Sequence, residues 1–179
     1  FEIVGIGVSG LLLDAFRGLP VRRLHVPPGE GLYERFVAWM LENLRWDIGI
    51  APLIDSLFTR SKSDIKFLDY AAQGIPGIFS KVPAYEKSIR PMENGVLASS
   101  NEEWEKALGN LITDQNARVR LAKNAHADGW QHRMLETEAH NWLDAIRKVV
   151  SQTISTHHKY IPRKRFTATA ATSFLENKI

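Results

Sequence analysis

Near the middle of the sequence Lys62, Lys66 and Asp69 stand close together, with the hydroxyls of Ser61 and Ser63 beside the first of them. Lys62 and Lys66 are four residues apart, which puts both on one side of a helix over residues 63–72, and Asp69 falls one turn past Lys66 near the same side. Ammonium groups, hydroxyls and the free N–H groups of a helix start all attract phosphate oxygens. A carboxylate in the same place accepts hydrogen bonds from the hydroxyls of a sugar or ribose. Together these residue types can hold a phosphate-bearing ligand. A plainer reading is a surface helix in which Lys66 and Asp69 form an intrahelical pair worth a few tenths of a kcal/mol.

The flanking sequence supplies elements to position such a site. Residues 46–53 (WDIGIAPL) are apolar almost throughout apart from Asp47, which predicts a strand buried on both faces of a parallel sheet. A polar run follows, read as loop. Next comes a helix with Ile65, Leu68 and Ala72 toward the sheet, a stop at Gly74 and Pro76, and a strand at GIFSKV. Upstream, residues 1–8 and 21–28 read as strands, and 33–44 as a core-facing helix with Phe36, Met40 and Leu44 on one stripe. This alternation predicts an α/β fold, a Rossmann-like parallel sheet flanked by helices, with ligands outside the carboxyl ends of the strands. Gly5, Gly7, Pro27, Pro52 and Leu53, at or just beyond strand ends, are then the loop positions that would meet a nucleotide. Downstream, GVLAS reads as a last strand, Ser100 and Glu103 have capping-box spacing, and residues 114–150 read as helix. Leu135, Trp142, Ile146 and Val149 form one apolar stripe there, and the Trp residues read as core or interhelix anchors.

Composition narrows the class. A chain of 179 residues with 44% hydrophobic and 24% charged residues is one globular domain's worth and excludes intrinsic disorder. Without Cys there are no disulfides and no Cys-ligated zinc, which fits a reducing, cytoplasmic setting. No apolar run approaches the roughly 20 residues that span a bilayer. The sequence opens at Phe1, already inside a strand pattern, so a piece of a longer protein is expected. The formal net charge is +3, and the excess gathers at the end, where Lys159, Arg163, Lys164, Arg165 and Lys178 stand against Glu176. The chain divides on this basis into a domain over 1–150 and a basic tail or linker over 151–179. The tail reads as a solvated arm, with peripheral contact to an anionic membrane as its other use and nucleic acid not expected.

Three stretches, DIGIAPL, SKSDIKFLDYAAQGIPGIFSKVPAY and NGVLASSNEEWEKALGNLITD, resemble in order and spacing the donor-binding half of the group 1 (family 4) glycosyltransferases of GT-B fold. The resemblance covers residues 46–146. It implies an enzyme of carbohydrate biosynthesis that transfers a sugar from a nucleotide diphosphate donor, usually with retention and without a bound metal or other cofactor. Asp69 matches the second acid of the family's two-acid motif, which contacts the donor ribose. Ser61 stands where the first acid belongs, a departure that bears on donor-sugar recognition. Ser61, Lys62 and Ser63 then resemble a variant loop gripping diphosphate oxygens, and Lys66 matches a recurrent family lysine. The family's Arg and Lys for the departing diphosphate, and its acceptor-binding half, would precede Phe1. Such electrostatic stabilisation supplies most of the rate in this kind of chemistry, so the chain alone is expected to bind nucleotide sugar without transferring it, and catalytic residues are unassigned.

Two other classes stay open. Gly5, Gly7 and Gly10 spell GxGxxG after a strand, the fingerprint of a dinucleotide-binding turn, which would suit a fragment of an NAD(P)-dependent dehydrogenase. The following VRRLHV lacks the acidic end that should hold a ribose, and its His25 reads as a packed strand residue. Ser61 in place of an acid motivates the other, a noncatalytic Rossmann-like interaction domain.

Overall fold

Strands and helices alternate from the amino end, in a computed structural model that describes residues 2–6 and 16–156. The order is β1 (Ile3–Ile6), β2 (Val21–Leu24), α1 (Tyr33–Asn43), β3 (Gly49–Ala51), α2 (Leu57–Arg60), α3 (Ile65–Gln73), β4 (Gly77–Ser80), α4 (Pro83–Glu86), β5 (Val96–Ala98), α5 (Asn101–Thr113), α6 (Gln115–His132) and α7 (Leu135–Thr156). Residues 1–133 form one unit and 134–179 a second, whose described part is α7. Among the described residues all pairing is parallel: β1 lies beside β2, and β4 lies between β3 and β5. Parallel neighbours need a crossover, and α3 and α4 provide it on either side of β4. The fold is α/β, with parallel sheets flanked by helices.

The core is organised around β4, whose four residues GIFS are all buried. Alternation along the strand sends Phe79 to one face and Ile78 to the other. Phe79 meets the rings of Phe67, Tyr70 and Tyr85, with centroids 5.0 to 6.0 Å away. Ile78 joins Val96, Ala107, Leu111 and Leu121 beneath α5 and α6. Both faces of the three-stranded sheet are therefore covered, the condition under which parallel strands persist. Gly49 makes one of these contacts feasible, because a Cβ there would stand 2.7 Å from the Tyr70 ring. Tyr70 also donates its hydroxyl to the Ile50 carbonyl at 2.8 Å, tying α3 to β3.

Several local expectations need correction. β3 is an edge strand of only three residues, and Ile50 is 43% exposed, so the strand buried on both faces is β4 and not β3. On α3, Phe67, Tyr70 and Ala71 turn inward while Ile65 and Ala72 are exposed, because the two aromatic rings bury more area than the smaller alternatives. The polar run before α3 contains α2, closed by a capping box in which Ser56 and Thr59 bond each other's backbone N–H. Gly5 is a ladder residue of β1 opposite Arg23 and not a turn glycine, while Gly7 and Gly10 lie outside the described residues. Trp130 and Trp142 are about two-thirds exposed and so are not core anchors, unlike Trp46 and Trp104, which pack against the core.

Other expectations hold. α3 stops at Gly74, left-handed at φ 66, with Ile75 N–H returning to the Tyr70 carbonyl. Ser100 caps α5 by accepting from Glu103 N–H, although the Glu103 carboxylate reaches one residue further back than expected, to the N–H and hydroxyl of Ser99. The division at residue 150, by contrast, falls inside α7, which runs on to Thr156, and residues 157–179 lie outside the described residues.

Candidate functional site

The carboxyl end of β3 runs into the segment that carries α2 and leads to α3. Pro52 is exposed, and Leu53 N–H donates to the Ser80 hydroxyl at 2.7 Å, which fastens the loop to the end of β4. Pro27 lies beyond β2, its carbonyl accepting from Glu30 N–H in a turn. Ser61, Lys62 and Ser63 are all exposed in the turn between α2 and α3. Lys62 stands before the helix and not on its first turn, with its Nζ 5.1 Å from the Phe58 ring centre, so the four-residue spacing to Lys66 does not give a shared helix side. The structure thus separates the exposed hydroxyls and ammonium of the turn from a second group on α3 itself.

That second group is built around Asp69. Lys66 Nζ donates to Asp69 Oδ2 at 3.0 Å, and the Tyr33 hydroxyl, at the start of α1, donates to Oδ1 at 3.0 Å. The Asp69 side chain is 3% exposed, and Lys66 45%. Burial, together with the hydrogen bond to Asp69 and its negative charge, pushes the Tyr33 phenol up to about 12. Lys66 Nζ also lies 5.9 Å from the Phe36 ring centre, a cation–π approach that keeps it over α1. Two carboxylate oxygens can accept about four hydrogen bonds, so both have acceptor capacity left. Tyr33 is half-exposed, the more exposed of the two donors to Asp69.

The start of α3 already carries an anion. Asp64 occupies the N-cap position without capping a backbone N–H. Its carboxylate instead takes two bonds from the Arg133 guanidinium, at 2.6 and 3.0 Å, and one from the Ser88 hydroxyl. Burial works against the charged form, but the Arg133 and Ser88 bonds outweigh it and hold the carboxyl below the usual range. Tyr33, Asp64, Ser88 and Arg133 were not among the residues expected to matter. Asp64 was legible as a polar residue directly before a helical run, whereas Arg133 is 69 positions from its partner and leaves no local signal.

A cavity of 490 Å³ opens elsewhere, at the amino end of β3, between Leu41, Arg45, Asp47 and Gln73. The chemistry-bearing residues and this cavity are therefore at different places. Among the described residues no three His, Asp or Glu side chains cluster as metal ligands, and no helix is long and apolar enough to cross a membrane.

No family model and no curated protein matches the sequence. Two solved structures are similar to it. HepE of Anabaena, crystallised in complex with UDP-glucose, is similar at a TM-score of 0.50 and 15% identity, over 87% of this chain and 41% of that one. The C-terminal domain of LpcC, a glycosyl transferase group 1 family protein of Francisella tularensis, is similar over 66% of this chain and 56% of that one, at 17% identity and a TM-score of 0.45. This chain therefore spans less than two-thirds of either, and the likeness to HepE, at 15% identity, is one of fold.

Proposed function

We propose that this chain is the nucleotide-sugar-binding half of a glycosyltransferase of GT-B fold, of the group 1 (family 4) kind, taking its donor as a nucleotide diphosphate sugar without a bound metal. The observation that carries the reading is the arrangement on α3: exposed Ser61, Lys62 and Ser63 lead into a helix whose buried carboxylate, Asp69, is held by an ammonium and a half-exposed phenol. In this reading Ser61, Lys62 and Ser63 bind diphosphate oxygens. Asp69 accepts from the ribose hydroxyls as Tyr33 swings out, and Lys66 keeps the carboxylate oriented. Pro27, Pro52 and Leu53 border the base. Neutralisation of the departing diphosphate and binding of the acceptor fall to another part of the enzyme. The fold shared with a protein crystallised with UDP-glucose supports the reading.

A second reading, a noncatalytic domain that keeps the fold, is favoured by Ser61 in place of an acid and by the two bonds already made to Asp69. The dehydrogenase reading loses its footing with Gly5 inside the β1 ladder. Thermal-shift and calorimetric titrations with UDP, GDP, ADP and NAD(H), on the unmodified chain, Lys62→Ala and Asp69→Ala, separate the three. A ligand at a hundredfold its Kd adds about 2.7 kcal/mol of apparent stability. Binding of one nucleoside diphosphate, weakened at least about tenfold by each substitution, supports the donor-domain reading. Binding of none supports the noncatalytic domain, and binding of NAD(H) alone revives the dehydrogenase.

A further inference from the structure

We infer that Ser80, the last residue of β4, is the positioning residue through which the site chooses among nucleotide bases, an inference that rests on the nucleotide-sugar reading above. In a parallel ladder every second N–H of a strand points to the same neighbour. Gly49 N–H donates to the Pro76 carbonyl at 2.9 Å, and with Ala51 opposite Phe79 the same step brings Leu53 N–H to Ser80. The Ser80 carbonyl, however, accepts from Val82 N–H at 2.9 Å, in the bend that ends β4. Its hydroxyl takes the rung instead, accepting from Leu53 N–H at 2.7 Å. A residue only 7% exposed thus closes the ladder with its side chain at the carboxyl end of the strand between β3 and β5, where parallel sheets receive ligands.

The residues after Leu53 are bonded to each other. Thr59 Oγ1 donates to the Ile54 carbonyl at 2.5 Å, Arg60 grips Asp55 at 2.7 and 2.8 Å, and Ser56 caps α2. Ile54 and Leu57 are 85% and 86% exposed, so apolar burial adds little hold there. Pro52 and Leu53, which border the base in that reading, therefore take their position from Ser80. The Leu53 side chain packs against the core, so loss of the hydroxyl should loosen this stretch without unfolding it. The turn with Ser61, Lys62 and Ser63 is placed differently. Ser61 and Lys62 N–H donate to the Phe58 and Thr59 carbonyls, both at 3.2 Å, and the turn runs directly into α3. Removing the Ser80 hydroxyl should blur the choice of base and spare the hold on the diphosphate.

Calorimetric titration of UDP, GDP and ADP into the full 179-residue chain tests this, because the three share ribose and diphosphate and differ in the base. The unmodified chain is expected to bind the best of them at least about tenfold more tightly than the worst. Ser80→Ala should shrink that ratio to about threefold or less, as loss of one neutral hydrogen bond allows, and Ser80→Thr, which keeps a hydroxyl, should restore it. Amide exchange followed by NMR gives a reading that needs no ligand: Leu53 should exchange at least about tenfold faster in Ser80→Ala, with Ile78 unchanged. An equal loss for all three nucleotides with the ratio kept, an unmodified chain without preference, or an unchanged Leu53 exchange rate overturns the inference and leaves the donor-domain reading standing. Binding of none of the three by the unmodified chain overturns both.

Discussion

α3 carries two buried carboxylates five residues apart, Asp64 and Asp69, and they are held in opposite ways. Asp64 is gripped by a bidentate guanidinium from the end of α6 and by a hydroxyl just past α4, so one carboxylate joins three elements. Asp69 is held by Lys66 of its own helix and by Tyr33, both about half exposed. The first arrangement draws its donors from two other elements, whereas the second draws one from its own helix and one from α1. Burial alone therefore does not separate a structural carboxylate from one able to meet a ligand; what separates them is how many elements its donors come from and how exposed those donors are.

Substitutions should divide the pair along this line. The largest effect is expected for Asp64→Ala, which leaves the Arg133 guanidinium facing a site built for a carboxylate. A loss of about 2 to 4 kcal/mol is expected in urea unfolding, the lower figure allowing for the partial exposure of Arg133. Nucleotide affinity of the folded protein should be unchanged. If Asp64→Ala unfolds no more easily than Asp69→Ala, the contrast collapses.

Acid should act on the same side of the comparison. Asp64 is held below its ordinary pKa, and so is Asp128, where burial opposes the charged form but bidentate bonds from Arg90 and one from Asn94 prevail. For carboxyls lowered in the folded state, the stability they contribute is fully present above the unfolded value of about 3.9 and is lost as pH falls through the lower folded values. Melting temperature should therefore drop steeply below about pH 4. Asp64→Asn should flatten that acid limb, and an unchanged limb would show that Arg133 does not stabilise the ionised form.

Smaller effects sharpen the Asp69 side. Tyr33→Phe removes one half-exposed hydrogen bond and should cost about 1 kcal/mol or less. If ribose displaces Tyr33, the same substitution should tighten a nucleoside diphosphate by up to about fivefold, and the gain should vanish on an Asp69→Ala background. Lys66→Ala takes one of two donors from the buried Asp69 carboxylate and should cost about 1 kcal/mol of stability, the half-exposed ammonium keeping the figure from being larger. A larger loss would mean that Lys66 also packs α1 through the Phe36 ring.

Local patterns in the sequence carried much of this fold. The alternation of apolar runs and helical stripes announces parallel α/β architecture, and Gly74 with Pro76 marks the end of α3 because one residue must turn left-handed there. The Lys66 and Asp69 pair is readable from spacing alone. What spacing could not carry is anything settled by packing at a distance. Phe67 and Tyr70 win the inward face of α3 because Gly49 leaves room for a ring, a fact that lives on another element. Tyr33 reaches Asp69 across 36 positions and Arg133 reaches Asp64 across 69, so neither bond has a signature in local sequence. The short α2 was hidden because Thr59 stands where a capping box ordinarily shows Glu or Gln.

The claim that Asp69, and not Asp64, is the carboxylate that meets a ligand is tested most directly by calorimetry. UDP would be titrated into the unmodified chain, Asp64→Asn and Asp69→Asn, at a temperature where all three are folded. The account expects binding to the unmodified chain, the same affinity within about twofold for Asp64→Asn, and a loss of at least about tenfold for Asp69→Asn. An Asp69→Asn chain that binds UDP as well as the unmodified one, or no binding to any of the three, would contradict it.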